Sequence, residues 1–169
     1  MCLLVNTLKC GVADEDIIVY KYVSKFILFS EGPLAGIPIS PYDFESLDRD
    51  YVRNNAYEVV WGSPYRHIPE ERVIYRPGNT VVDSRFQETS EQRSATDEMT
   101  YLVYRGLHAF SRCADALTKV QDFAYLDGSA AVMLCVIPKG ARYWANPSRS
   151  EYCSEALEVK ELIYEKRAE

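Results

Sequence analysis

The sequence lacks the local patterns by which the large enzyme classes are recognised. It contains no glycine-rich phosphate loop, no G-x-S-x-G elbow and no H-E-x-x-H helix, and His67 and His108 are its only histidines. The reaction classes that those patterns mark are disfavoured. Five cysteines (Cys2, Cys10, Cys113, Cys135 and Cys153) are scattered and never form a C-x-x-C pair. A disulfide framework or a zinc site needs tighter spacing, so free thiols, a reducing compartment and no metal are expected. No run of basic residues occurs and the net charge is -6. Binding to a phosphate backbone releases counterions only where lysine and arginine cluster, which disfavours nucleic acid as a partner. No stretch approaches the ~18 apolar residues of a membrane span. The opening Met1-Cys2-Leu3-Leu4-Val5-Asn6 lacks the length and basic flank of a signal peptide. A soluble, cytoplasmic protein with no membrane partner and no cofactor is expected.

What is present fits one globular domain spanning residues 1–169. A 169-residue chain with 47% hydrophobic and 26% charged residues can close one core without staples. Tyrosine is unusually abundant, 13 against 6 phenylalanines. It suits half-buried strands and also surfaces that touch a partner.

Ile17 to Phe29 (IIVYKYVSKFILF) is rich in β-branched and aromatic residues and predicts one long strand or a bent pair. Two breaker groups, Glu31-Gly32-Pro33 and Gly36-Ile37-Pro38, follow it. Ser40-Pro41-Tyr42-Asp43 carries a cap, a first-turn proline and an acid, which start a short helix with Phe44, Leu47 and Tyr51 on one face. Tyr57 to Trp61 reads as a strand. Arg76-Pro77-Gly78-Asn79 reads as a turn, or the tip of a hairpin, between short strands. Gln87 to Thr100 is nearly devoid of apolar residues and predicts a mobile loop or a frayed helix.

Tyr101 to Arg105 then predicts a strand ending at Gly106, followed by a helix capped by Ser111 with Cys113, Ala116, Leu117, Val120 and Ala124 on one stripe. Ala130 to Ile137 (AAVMLCVI) is a strand buried on both faces, closed by Pro138-Lys139-Gly140. Tyr143-Trp144 starts a further extended piece, Ala156 to Lys160 is a strand, and Glu165 to Glu169 is a frayed end. The expected fold class is α+β, a mixed and mainly antiparallel sheet with one or two short helices packed on it.

Two constellations carry possible chemistry. In Arg105-Gly106-Leu107-His108, Gly106 permits a tight turn or close approach to a ligand, Arg105 can hold an anion and His108 can act as acid or base. The competing reading is a plain β–α turn with Arg105 exposed and His108 bonded locally. Glu151 and Glu155 are paired carboxylates that share a face in a regular strand. Their competing role is a charged edge that discourages sheet association. Cys113 and Cys153 become nucleophiles only if a histidine approaches them.

The segments Tyr104-Arg105-Gly106-Leu107-His108-Ala109-Phe110, Ile137-Pro138-Lys139-Gly140-Ala141 and Glu151-Tyr152-Cys153-Ser154 resemble a family of small phage and gut-bacterial proteins. Such proteins also carry a strand like Asp16 to Lys21 and a segment like Ser63-Pro64-Tyr65. The resemblance covers about two thirds of the chain and brings no activity with it; residues 31–57 have no counterpart and read as an insertion. A second resemblance is to ADP-ribosyltransferases. It implies Arg105 or His108 gripping NAD and Glu151 or Glu155 polarising the ribose, although the Glu-x-Glu pair and the Ser-Thr-Ser strand are missing. The expected function is a small binding module acting on a host or phage protein, or on a small anionic ligand such as a nucleotide. Ligand-binding residues would be Arg105, His108, Glu151 and Glu155. The alternatives are an NAD-using enzyme and an accessory component of a larger assembly such as a virion.

Overall fold

Two apolar segments organise the chain, because each is long enough and β-branched enough to lie buried in a sheet. Ile17–Phe29 and Ala130–Ile137 run antiparallel side by side, from Ile17 opposite Ile137 to Ser24 opposite Ala130. The computed structural model describes residues 3–64, 73–92, 101–127 and 130–166. In chain order the strands begin with β1 (Leu3–Val5), β2 (Gly11–Val12) and β3 (Ile17–Phe29), and helices α1 (Pro41–Glu45) and α2 (Arg49–Asn54) follow. Next come β4 (Tyr57–Gly62), β5 (Ile74–Tyr75), β6 (Thr80–Val82), β7 (Glu91–Gln92), β8 (Tyr101–Val103) and β9 (Leu107–Phe110). Helix α3 (Cys113–Asp127) leads to β10 (Ala130–Ile137), β11 (Arg142–Asn146), β12 (Glu151–Ser154) and β13 (Ala156–Lys166).

The fold is α+β and mainly antiparallel. The large sheet has the order β2-β11-β12-β9-β3-β10-β13-β6, with β4 and β5 branching from β3, and a small sheet has the order β1-β8-β7. Strand alternation divides the core in two. Val19 and Val23 of β3 join Met133, Cys135, Leu157 and Val159 on one face. Tyr22, Phe110 and Val132 meet Ala116 and Val120 of α3 on the other. Cys113, Ala116, Leu117 and Val120 therefore form the stripe their spacing predicts; the side chain of Ala124 lies outside the description. Leu3, Val103, Trp144 and Cys153 build a third cluster between the sheets.

Residues 31–57 fold as a satellite of β3. Ser40 caps α1 by accepting from the Asp43 N–H at 3.1 Å, as its sequence predicts. The helix is interrupted after Glu45, and Asp48 caps a second one. Phe44, Leu47 and Tyr51 still share one face, packed on Phe29, with the Phe29 and Tyr51 rings 5.1 Å apart edge to face.

Three expectations change and one narrows. The sequence predicts a β–α turn at Gly106, but a strand, β9, intervenes before α3, which starts at Cys113. The reading of Arg76–Asn79 narrows to a turn between short strands and not a hairpin: β5 pairs with β4, and β6 with β13. The last strand continues to Lys166 instead of fraying at Glu165. Gln87–Gln92, expected to be loop, contains β7. Residues 93–100 of that predicted loop, Tyr65 and His67, and the end beyond 166 lie outside the described residues.

Candidate functional site

The large sheet forks along one edge of β3. Strand β9 pairs with β3 only at Tyr20, opposite Phe110, and β4 takes over from Ser24, opposite Gly62. Lys21 lies in the gap, on the face of Val19 and Val23, and is 4% exposed. Its ammonium donates to the His108 main-chain oxygen and stands 5.3 Å from the centre of the Tyr75 ring. An ammonium so enclosed needs such partners, since desolvation otherwise costs several kcal/mol.

At this fork opens a cavity of about 240 Å³ whose wall includes Lys21, Ser63, Tyr75, Asp83, Arg85 and Arg105. Asp83 is buried and accepts the Arg85 N–H at 3.0 Å, with the Arg85 Nε 4.0 Å from the same oxygen. The described lining residues include three basic side chains, Lys21, Arg85 and Arg105, and one carboxylate, Asp83. Arg85, Tyr104 and Arg105 also wall an adjoining cavity of about 330 Å³ that reaches Phe86, Gln87 and Glu91.

The segment bearing Asp83 and Arg85 is tied down on both sides. The Asp83 N–H donates to the Glu155 oxygen at 2.8 Å and the Gln87 N–H to the Arg105 oxygen at 3.3 Å. The Gln87 main-chain oxygen accepts from Trp144 Nε1 at 2.7 Å, and its side-chain oxygen accepts the Tyr104 N–H at 2.9 Å. Arg142 lies over the Phe86 ring and ion-pairs with Glu88 and, at 2.6 Å, with Glu155. Gly106 brings the chain against Cys153. Its φ is +138°, and a Cβ there would meet Cys153 Sγ at 2.4 Å, so no other residue fits without a shift.

Of the four residues singled out in the sequence, Arg105 and His108 both line the cavity, while Glu151 and Glu155 lie elsewhere. Arg105 is in the cavity wall, between the two chambers. His108 contributes the oxygen that receives Lys21. Leu107 and Ala109 point to the first core and Phe110 to the second, so alternation puts the His108 imidazole on the Phe110 face, beside its cross-strand neighbour Cys153. Glu151 pairs with Phe110 at the far end of β9 and lines a different groove with Arg112, Asp115, Lys119 and Arg149. One of its oxygens is buried with no hydrogen-bond partner among the described residues. Burial pushes the Glu151 carboxyl above its ordinary value, against the pull of Arg149 and Lys119. Glu155 follows β12 and is held by Arg142. Burial would raise its pKa, but the Arg142 side chain and N–H outweigh that and hold it below the usual carboxylate range. The thiols of Cys135 and Cys153 are pushed up to about 12 by burial, with the Lys21 charge pulling the other way, and neither has the thiolate a nucleophile needs.

Lys21, Asp83, Arg85 and Tyr104 were not singled out in the sequence. Lys21 stands two residues from a valine on either side, but β3 also holds Lys25, so the sequence does not mark it out. No group of His, Cys, Asp and Glu among the described residues can hold a metal, and no helix among them is long and apolar enough to cross a membrane. Comparison with protein-family models, curated proteins and solved structures gives no match.

Proposed function

We propose that this chain binds a small anion, of the phosphate or carboxylate type, in the cavity at the fork of β3. The observation that carries this reading is the convergence of Lys21, Arg85 and Arg105 on one recess with Asp83 as the single described carboxylate in its wall. Three N–H-rich cations around a small recess supply charge-assisted hydrogen bonds to an oxyanion, about twice as strong as neutral ones. The Asp83–Arg85 contact and the buried Lys21 keep those donors in place before the ligand arrives, which reduces the ordering cost of binding. Binding is favoured over NAD chemistry because both glutamates are engaged elsewhere, Glu155 with Arg142 and Glu151 in the groove beside α3.

Titration calorimetry with inorganic phosphate tests this. A Kd of about 1 mM or tighter is expected, as is attainable for a five-atom ligand. Arg105→Ala, a change at an exposed position, should weaken binding about tenfold to a hundredfold, the worth of one charge-assisted bond. Lys21→Met, which keeps the side-chain length, should weaken it as well. Wild-type protein that takes up no phosphate at about 10 mM sinks the reading. Nicotinamide release from NAD, abolished by Arg105→Ala, would replace it with an enzymatic one.

A further inference from the structure

The anion cavity has a second chamber with different chemistry. Arg85, Tyr104 and Arg105 belong to both, so a ligand whose charged end sits among Lys21, Arg85 and Arg105 extends past the guanidinium groups into the chamber of about 330 Å³. Along that wall it meets Tyr104, which is 46% exposed. A large aromatic residue left open to solvent beside two arginines offers a flat face to a planar group. The Glu91 carboxylate, also exposed in that wall, accepts hydrogen bonds from hydroxyl or ring amino groups. The first chamber, about 240 Å³, is alone small for an organic ligand, whereas the two in series fall within the ~300–1,000 Å³ of such sites. The net charge of -6 and the small volume of the two chambers point to a free small molecule rather than a polymer.

We infer that the site takes a phosphomonoester bearing a planar ring, its phosphate held by Lys21, Arg85 and Arg105 and its ring stacked on Tyr104. This rests on the anion-binding reading and specifies the class of anion. A nucleoside monophosphate has the required parts: phosphate, a sugar spacer with hydroxyls within reach of an acceptor such as Glu91, and a flat base.

The test compares inorganic phosphate, ribose 5-phosphate and adenosine 5′-monophosphate on wild type, Tyr104→Ala and Tyr104→Phe. Stacking of one base on an aromatic ring predicts that the nucleotide binds wild type about tenfold tighter than ribose 5-phosphate. Tyr104→Ala should erase that advantage and leave inorganic phosphate unchanged, while Tyr104→Phe should keep it. Equal affinity of wild type for the nucleotide and the sugar phosphate overturns the inference and leaves the anion site standing. So does a Tyr104→Ala loss that is the same for inorganic phosphate as for the nucleotide. Failure of all three ligands to bind removes the anion site and the inference together.

Discussion

Lys21 and Glu151 are two charges in this molecule with contrasting surroundings. Lys21 stands where an alternating strand demands an apolar side chain, between Val19 and Val23, and is accommodated by a carbonyl and an aromatic face. Neither that position nor its partners were legible in the sequence: β3 also holds Lys25, and His108 is 87 residues away. Glu151 has a buried oxygen that no described donor reaches. Its folded pKa is raised, chiefly by burial. A raised pKa contributes stability that is complete below the unfolded value, near 4.3, and is lost as pH rises through the folded value. At neutral pH the charged carboxylate thus weakens the fold, even with Arg149 and Lys119 nearby. Glu151→Gln should raise the unfolding free energy at pH 7 by about 0.5–1 kcal/mol, discounted for partial exposure. Urea titrations should show the gain shrinking to nothing below about pH 4, where wild type is protonated. A gain that does not vary with pH would point to packing and away from charge.

The elements that carry their own signal were legible, and those defined by a partner were not. Strands β3 and β10 announce themselves by unbroken apolar runs, and α3 by its stripe. Strands β1, β2 and β7 have two or three residues each and exist because β8 and β11 offer edges to them. Strand β9 was hidden by Gly106, which looks like the end of an element but turns the chain between two strands in different sheets. The segment from Asp83 to Gln87 shows the same limit at the site. It brings Arg85 to the cavity through bonds to Glu155, Arg105, Tyr104 and Trp144, none of them local. Arg142 fastens it through Phe86, Glu88 and Glu155. Arg142→Gln should lower stability at pH 7, since a partly exposed charge network loses its shared cation. It should also weaken phosphate binding several-fold, since Arg85 is then held less firmly. The Glu155 pKa is depressed, so its contribution is present above the unfolded value and is lost as pH falls through the folded one. The gap between wild type and Arg142→Gln in denaturant titrations should therefore narrow towards pH 3. An unchanged phosphate affinity would show that Arg85 needs no such support.

At the scale of the whole molecule, the question is whether the clusters melt together. Cys135 belongs to the core of β3, β10 and β13, and Cys153 to the cluster between the two sheets. Both are fully buried, and both thiols are pushed up to about 12, so the native state offers almost no thiolate to a reagent. Modification must wait for opening of the structure around each, and its rate reports the free energy of that opening. The clusters are joined by continuous pairing, because β12, which bears Cys153, pairs with β9, and β9 meets β3. The β9–β3 link is one residue pair wide, however, and the cavity sits beside it. If that link suffices for cooperativity, a disulfide reagent followed by peptide mass mapping will modify Cys135 and Cys153 at the same slow rate, set by global unfolding. Faster modification of Cys153 would mean that β11 and β12 open as a separate unit. Phosphate bridging Lys21 on β3 and Arg105 beside β9 should then slow Cys153 towards the rate of Cys135, because a ligand that spans the fork stabilises only the closed form.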